Sequence, residues 1–179
     1  MGKTSHPEQE RVRRTFMFTD IVSSTDLVDL LGDEQWGELS RWHDQTLRTA
    51  IERRGGEVVK TIGDGFFAAF QDPAHAIRAA IEIQRALQDH RTVYGFAPRV
   101  RIGVHIADAT REGTDYRGRG VNEAARIGAL AGSDEILASL ETVAEAPGQG
   151  EVSRRRTVSL KGISRPFEVA TLNWRPAVP

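Results

Sequence analysis

Short apolar runs, each closed by glycine, proline or charged residues, divide the chain into candidate strands. The run RTFMFTDIV predicts a buried strand with its polar end at Asp20, and RVRIGVHIADA predicts a second strand by its alternation. EVVKTIGDGFFAAF has two strand-like halves around a Gly-Asp-Gly turn, which predicts a β-hairpin. Shorter strands are predicted at EILAS, EVSRRRTVSL and PFEVATLNW.

Apolar residues three to four positions apart predict the helices between these strands. Residues 23–25 are helix-start residues, and a long helix follows from a cap at Asp33. Asp72-Pro73 is a typical helix start, because aspartate accepts from free N–H groups and proline suits the first turn. GVNEAARIGALA predicts another helix, and Ser139 caps a short one.

The resulting order is β-α-α-β-β-α-β-α-β-α-β-β, which favours an α+β fold. A hairpin between two helices is typical of a ferredoxin-like βαββαβ core, here with extensions, in which helices cover a mostly antiparallel central sheet. Residues 110–119 are expected to form a polar loop. We expect one domain over residues 14–174, after a flexible lead-in of residues 1–13 and before a tail of residues 175–179.

The amino-acid composition excludes several classes of function. The 179 residues carry a net charge of −1, so this domain lacks the excess of basic residues that is typical of nucleic-acid-binding domains. The absence of cysteine excludes disulfides, thiolate metal sites and cysteine nucleophiles. No apolar run is long enough for a membrane segment and no signal peptide is visible, so the sequence predicts a cytoplasmic protein.

Two carboxylates are predicted to meet at one end of the sheet. Asp20 ends the first strand, Asp64 sits at the tip of the hairpin turn, and the first strand of a ferredoxin-like sheet lies beside that hairpin. Adjacent carboxylates repel unless a proton or a cation lies between them, and such oxygen ligands suit Mg²⁺ bound with substrate phosphates. The helix start at Ser23, Ser24 and Thr25 offers backbone N–H groups to a phosphate.

A second polar group lies on the helix that follows Asp115. Asn122 and Arg126 are four residues apart and therefore share one helix face, which taken alone is more typical of a solvated polar stripe. The histidines show no ligand spacing and are interpreted as packing or surface residues. The run 154–156 of three arginines predicts a solvated strand face.

Five segments in this order and spacing resemble the catalytic domains of class III nucleotidyl cyclases, bacterial and especially mycobacterial ones. The resemblance covers about residues 14–174 and implies a head-to-tail homodimer with shared active sites. The segments are FTDIVSSTDLVDLLGD, GGEVVKTIGDGFFAAF, RVRIGVHIADA, DYRGRGVNEAARI and LKGISRPFEV.

The resemblance implies a role for each polar residue of the metal and base sites. Asp20 and Asp64 match the two metal-binding aspartates, with the Ile21 carbonyl as a further ligand, for two divalent cations per site, Mg²⁺ or Mn²⁺. Lys60 and Asp115 match the pair that reads the adenine edge, the lysine donating to N1 and the aspartate accepting from the exocyclic amine. Guanylate cyclases of this family carry a glutamate and usually a cysteine there, so the pair implies ATP.

The remaining matches concern the ribose and the phosphates. Asn122 matches the residue that orients the ribose, Arg126 the one that stabilises the pentavalent phosphorane, and Lys161 a triphosphate-binding lysine. One departure stands in HIADA, where Ala107 replaces the glycine that the family usually has. This substitution bears on the local backbone and the rate, and not on the type of chemistry.

The implied reaction is conversion of ATP to 3′,5′-cyclic AMP and pyrophosphate, the synthesis of an intracellular second messenger. The main alternative is a catalytically weak nucleotide-binding module that regulates a larger signalling protein, although such modules normally lose a metal aspartate or the arginine. A diguanylate cyclase would need a G-G-[DE]-E-F signature, which is absent. A DNA-binding role lacks a basic patch.

Overall fold

The computed structural model describes residues 8–178, which form strands and helices in the following order. The elements are β1 (Gln9–Ile21), α1 (Ser24–Leu31), α2 (Asp33–Arg53), β2 (Glu57–Ile62), β3 (Gly65–Phe70), α3 (Pro73–Tyr94), β4 (Val100–Glu112), β5 (Asp115–Arg117), α4 (Arg119–Leu130), β6 (Ile136–Ser139), α5 (Leu140–Glu145), β7 (Glu151–Ser159) and β8 (Pro166–Asn173).

The strands form one sheet of mixed direction that is mostly antiparallel. Its order is β2-β3-β1-β4-β6-β8-β7, with β5 paired to β4. The first four strands have the neighbours of a ferredoxin-like βαββαβ unit, and β4 with β6 is a parallel pair. The predicted α+β class and ferredoxin-like core are therefore confirmed.

Two expectations for the first half of the sheet were wrong. Strand β1 begins at Gln9, so residues 9–13 belong to the sheet and not to a flexible lead-in; residues 1–7 lie outside the described part of the chain. The predicted loop 110–119 instead contains the end of β4 and all of β5. In both places the side chains are mainly polar, so no apolar pattern predicts a strand. Antiparallel pairing, which begins with Gln9 opposite Glu112, supplies the backbone hydrogen bonds.

Alternate residues of the central strands pack on opposite faces of the sheet. Met17 and Ile102 lie in the larger core beneath α2 and α3. Phe16 and Phe67 point the other way and pack with Ala124 of α4. Helix α4 packs on this second face. Its position therefore determines which side chains of the face stay exposed.

The predicted helix starts differ in their outcome. Asp72 accepts a hydrogen bond from Ala74 N–H at 2.8 Å, and Ser139 caps α5 through Thr142 N–H at 3.4 Å, as predicted. Asp33 is the first residue of α2 and not its cap, since Gly32 occupies the cap position. Within residues 8–178, no helix has the length and apolar character needed to cross a membrane.

Helix α4 approaches the sheet closely through two glycines. A Cβ atom added to Gly103 of β4 would overlap the backbone N and Cα of Gly128 on α4. Gly103→Ala is therefore expected to lower the free energy of unfolding by about 1–3 kcal/mol, because the backbones must separate.

Urea denaturation measures this effect, and Gly132→Ala is the control. A Cβ at Gly132 meets its nearest atom at 3.8 Å, so that variant should stay within about 0.5 kcal/mol of the original protein. Equal stability of Gly103→Ala and Gly132→Ala would contradict a close contact between α4 and β4.

Candidate functional site

Three cavities share lining residues along α4. The base-side cavity, of about 590 Å³, is lined by Lys60, Asp115 and Asn122 among others. A smaller cavity of about 220 Å³ contains Asp20, and a third of about 550 Å³ has a basic lining that includes Arg126. Ala125 lines all three, so the cavities are neighbours along α4.

The metal-side cavity lies where the β2–β3 turn meets the end of β1. Phe66 N–H donates to Thr19 Oγ1 at 3.0 Å, and a Cβ at Gly65 would lie 3.3 Å from the Cα of Asp20. Glycine at position 65 thus permits the close approach of the turn to the strand. Asp64 directly precedes Gly65 in the chain, so the turn that carries Asp64 lies against the end of β1 that carries Asp20.

An arginine that the sequence analysis did not identify binds one of these carboxylates. Arg101 lies opposite Asp20 in the β1–β4 register, and its Nη2 and Nε donate to Asp20 Oδ2 at 2.7 and 3.2 Å. The cross-strand register would have indicated this pair, since directly opposed residues of antiparallel strands are neighbours. Arg101 therefore partly neutralises the negative charge of Asp20.

The donor set at this corner fits a hard divalent cation that keeps other ligands. Residues 8–178 contain no group of three or more histidine, aspartate or glutamate side chains that could hold a metal alone. Two carboxylates, Asp20 and Asp64, are what Mg²⁺ uses when water and substrate phosphates complete its octahedron. The side chain of Ile21 has no ligating atom and is buried in the core, so its backbone carbonyl is the group through which this residue would bind a cation.

The base-side cavity contains a preformed ion pair. Lys60 Nζ lies 3.2 and 3.1 Å from the two carboxylate oxygens of Asp115. Burial raises the pKa of Asp115, but hydrogen bonds from Tyr116 N–H and Lys60 outweigh it and lower that pKa below its usual value. Asp115 therefore stays ionised at neutral pH and can only accept hydrogen bonds.

The basic cavity combines one helix face with the β7–β8 connection. Asn122 and Arg126 are both exposed, one turn apart on α4, and the former lines the base-side cavity as well. Lys161 lies on the connection and lines the same basic cavity, together with Arg119 and Arg165, which the sequence analysis did not identify. The predicted pairing of Lys161 with Arg126 in one site is thus consistent with the geometry.

The predicted phosphate seat at the start of α1 does not contribute side chains to the lining of these cavities. Ser23 occupies the cap position in a left-handed conformation, with φ 56°, and its side chain makes no capping hydrogen bond. Ser24 begins α1 and Thr25 follows it. None of the three lines the cavities described above.

Ala107 is accommodated by a glycine on α4. It lies in β4, is almost fully buried, and belongs to the apolar cluster under the helix. A Cβ at Gly120 would overlap the Cβ of Ala107, so the start of α4 rests directly on this residue. The extra methyl group of Ala107 therefore meets a partner without a side chain.

Of the histidines interpreted as packing or surface residues, two are fully buried. Burial lowers the pKa of both His43 and His105, which favours their neutral forms. The arginine run ends at Arg156, which forms an ion pair with Glu135 at 3.1 Å, while Arg154 and Arg155 are exposed as predicted.

Known proteins share both sequence and fold with this chain. Residues 6–172 match the family model described as the adenylate and guanylate cyclase catalytic domain. The chain is 29% identical over 208 residues to a receptor-type adenylate cyclase of Trypanosoma equiperdum, an alignment that covers 90% of the chain and 44% of that relative. The chain therefore spans less than half the length of this relative.

Two solved structures compare the fold. The adenylyl cyclase CyaB from P. aeruginosa has a TM-score of 0.80 at 25% identity, covering 93% of this chain and 96% of that chain. The guanylyl cyclase Cya2 has a TM-score of 0.82 at 21% identity, covering 93% of both chains. Cyclases named for either nucleotide share this fold, so the choice of base depends on the site.

Proposed function

Since the chain belongs to the adenylate and guanylate cyclase catalytic-domain family, we propose that it converts ATP to 3′,5′-cyclic AMP and pyrophosphate. The observation that carries the choice of ATP is the ion pair of Lys60 and Asp115 in the cavity that Asn122 also lines. The product would act as a second messenger in intracellular signalling.

The pair offers the hydrogen-bonding pattern that adenine needs. Lys60 can only donate and ionised Asp115 can only accept, which complements the acceptor at adenine N1 and the exocyclic amine donor. Guanine presents a donor at N1 and an acceptor at O6, so each protein group would face a group of its own kind. An unpaired buried polar group is costly, and this mismatch is the physical basis for discrimination against GTP.

Asn122 and Arg126 extend the proposed site from the base to the phosphates. Asn122 borders both larger cavities and is therefore placed to hold the ribose between them. Arg126 lies one turn further along α4 and would supply positive charge where the transition state becomes more negative. By analogy with other electrostatic stabilisers, it would lower the activation free energy by about 3 kcal/mol.

Asp20 and Asp64 would hold two divalent cations, Mg²⁺ or Mn²⁺, with the backbone of Ile21. Activation of the ribose 3′-hydroxyl and neutralisation of the leaving pyrophosphate are the chemistry that such cations supply when bound. Arg101 already pairs with Asp20, so it must share that carboxylate or move when a cation binds. Both candidate metal-binding aspartates and Arg126 are present, which disfavours a regulatory module without catalysis.

We infer a head-to-tail homodimer in which each site combines Asp20 and Asp64 of one protomer with the substrate-binding residues of the other. Exposed apolar residues beside the cavities support such an interface. Ile62, which lines two of the cavities, is 51% exposed, and Leu130 at the end of α4 is 43% exposed. Burying them against a second copy would be favourable.

Incubation with ATP or GTP and Mg²⁺ or Mn²⁺, followed by separation of cyclic nucleotides, tests the reaction. Cyclic AMP is the expected main product. Formation of cyclic GMP at a higher kcat/KM than cyclic AMP would contradict the assignment of ATP, and formation of neither would contradict the cyclase activity itself.

Lys60→Glu is expected to lower kcat/KM for ATP by at least about 100-fold, because a carboxylate would face the N1 acceptor with nothing to donate. Full guanylate cyclase activity should not appear, since Asp115 remains. Arg155→Glu, which reverses an exposed charge on β7, should leave activity unchanged. Unaltered preference for ATP over GTP in Lys60→Glu would show that Lys60 does not read the base.

A further inference from the structure

A buried carboxylate lies directly behind the basic cavity. The side chain of Glu123 on α4 is 5% exposed, and its Oε2 accepts a hydrogen bond from His105 Nε2 at 2.9 Å. Its other oxygen, Oε1, lies 3.6 Å from the guanidinium of Arg165. Glu123 thus links β4, α4 and the β7–β8 connection at the residue that directly follows Asn122.

A directed chain of hydrogen bonds orients this carboxylate. Ile106 N–H donates to Thr142 Oγ1 at 2.8 Å, and the Thr142 hydroxyl, 2.7 Å from Ser139 Oγ, can donate to that oxygen. Ser139 can then donate to His105 Nδ1, also at 2.7 Å. A neutral His105 in this arrangement carries its proton on Nε2 and donates it to Glu123, and burial favours this neutral form by lowering the pKa of His105.

This series of hydrogen bonds gives the carboxylate of Glu123 a donor, but it does not balance the negative charge of Glu123. A buried carboxylate needs a cationic partner, and among residues 8–178 Arg165 is the arginine or lysine whose charged group lies within ion-pair distance of Glu123. The guanidinium carbon also stacks 4.1 Å from the centre of the Phe167 ring. Arg165 is therefore held from two sides, although its side chain remains 57% exposed towards the cavity.

The cavity in front of Arg165 has an excess of positive charge. Its lining includes the cations Arg119, Arg126, Lys161 and Arg165 and no carboxylate. Within residues 8–178, no ion pair joins Arg119, Arg126 or Lys161 to another side chain. Four converging cations repel one another, so the cavity is suited to a polyanion.

We propose that Arg165 binds the terminal phosphates of the nucleotide, and that Glu123 and His105 are positioning residues that hold its guanidinium in place. This inference rests on the proposed function for the identity of the nucleotide. Asn122 borders the base-side and basic cavities, so a triphosphate that leaves the ribose there extends past Arg126 to the connection that carries Lys161 and Arg165. A planar guanidinium that pairs with a buried acid and stacks on a ring suits bidentate binding of phosphate.

Binding of inorganic tripolyphosphate, measured by calorimetry without divalent cations, tests the role of Arg165 separately from turnover. Arg165→Ala is expected to weaken binding about tenfold, and Arg165→Lys to retain part of the affinity. Arg155→Ala, which removes an exposed arginine of β7, is the matched control and should bind as the original protein does. No binding by the original protein, or equal binding by Arg165→Ala, would overturn the assignment.

Kinetics with ATP give a second measurement. Arg165→Ala should raise KM about tenfold and change kcat by less than about threefold, because the terminal phosphates are bound in both ground and transition states. A loss of kcat without a change in KM would contradict this role. A protein that binds tripolyphosphate through Arg165 but forms no cyclic nucleotide would refute the proposed function and support this inference.

Glu123→Gln tests the positioning role. The amide retains a hydrogen-bond acceptor for His105 but lacks the charge that holds Arg165, so tripolyphosphate binding should weaken towards that of Arg165→Ala. The double variant should be no weaker than Arg165→Ala alone, with folding of each variant checked by thermal unfolding. Additive losses would show that Glu123 does not act through Arg165.

Discussion

Asp20→Ala and Asp64→Ala are each expected to abolish cyclic nucleotide formation while leaving the fold intact. Each change removes one of the two aspartates proposed to bind metal, Asp20 at the end of β1 or Asp64 in the β2–β3 turn, and the two ligand groups that remain would not hold both cations. The Asp20–Arg101 pair is partly exposed, with 44% of the aspartate side chain accessible, so losing it should change stability by no more than about 1 kcal/mol. Cyclic AMP formation and urea denaturation together measure the two effects.

Asp26→Ala is the matched control for these variants. This exposed aspartate lies in the first turn of α1, close in sequence to Asp20, and does not line the described cavities. It should retain full activity. Activity at the original level in Asp20→Ala or Asp64→Ala with Mg²⁺ would remove the basis for a two-aspartate metal site.

Mixing two inactive variants is expected to restore activity. Asp20→Ala and Arg126→Ala should each be nearly inactive alone, because one lacks the metal half and the other the substrate half of every site. In a mixed dimer both lesions fall in one site and the other is intact. Free exchange makes about half of the dimers mixed, with one good site of two, so roughly a quarter of the original activity should return.

A mixture of Asp20→Ala and Asp64→Ala provides the control. Every protomer in that mixture brings a damaged metal half, so no activity should return. Exchange of subunits is verified by mixing protomers with different tags. If both mixtures stay inactive while exchange occurs, each site is built within one chain, and the proposed arrangement of the dimer is wrong.

Local patterns alone predicted the elements in which side-chain chemistry and backbone preference agree. The Gly63-Asp64-Gly65 turn, the Asp72 cap and the Ser139 cap lie where their residues indicate, because turn and cap preferences act within a few positions. The resemblance carried by five segments is confirmed at the level of the cyclase family. It was specific because the segments recur in order over most of the chain.

Long-range pairing lay beyond such patterns. Residues 9–13 and Asp115–Arg117 form strands because β4 offers them backbone partners, although their own side chains are mainly polar. The sequence places no apolar alternation there, since these parts of the sheet bury few side chains on either face. Backbone hydrogen bonds between distant segments therefore determined these strands.

The candidate site also has features that the sequence predicts and features that depend on tertiary structure. The sequence by itself singled out Asp20, Asp64 and Lys60 as candidates by residue type and position, and the family resemblance added Arg126. Tertiary structure decided which groups support them, because a charge pair depends on distance and not on separation along the chain. Two such pairs are Arg101 with Asp20, which are 81 residues apart, and Arg165 with Glu123 behind the basic cavity. Burial matters for the second pair, since the carboxylate of Glu123 is removed from water and must find a partner within the fold, whereas the pair of Asp20 is partly exposed.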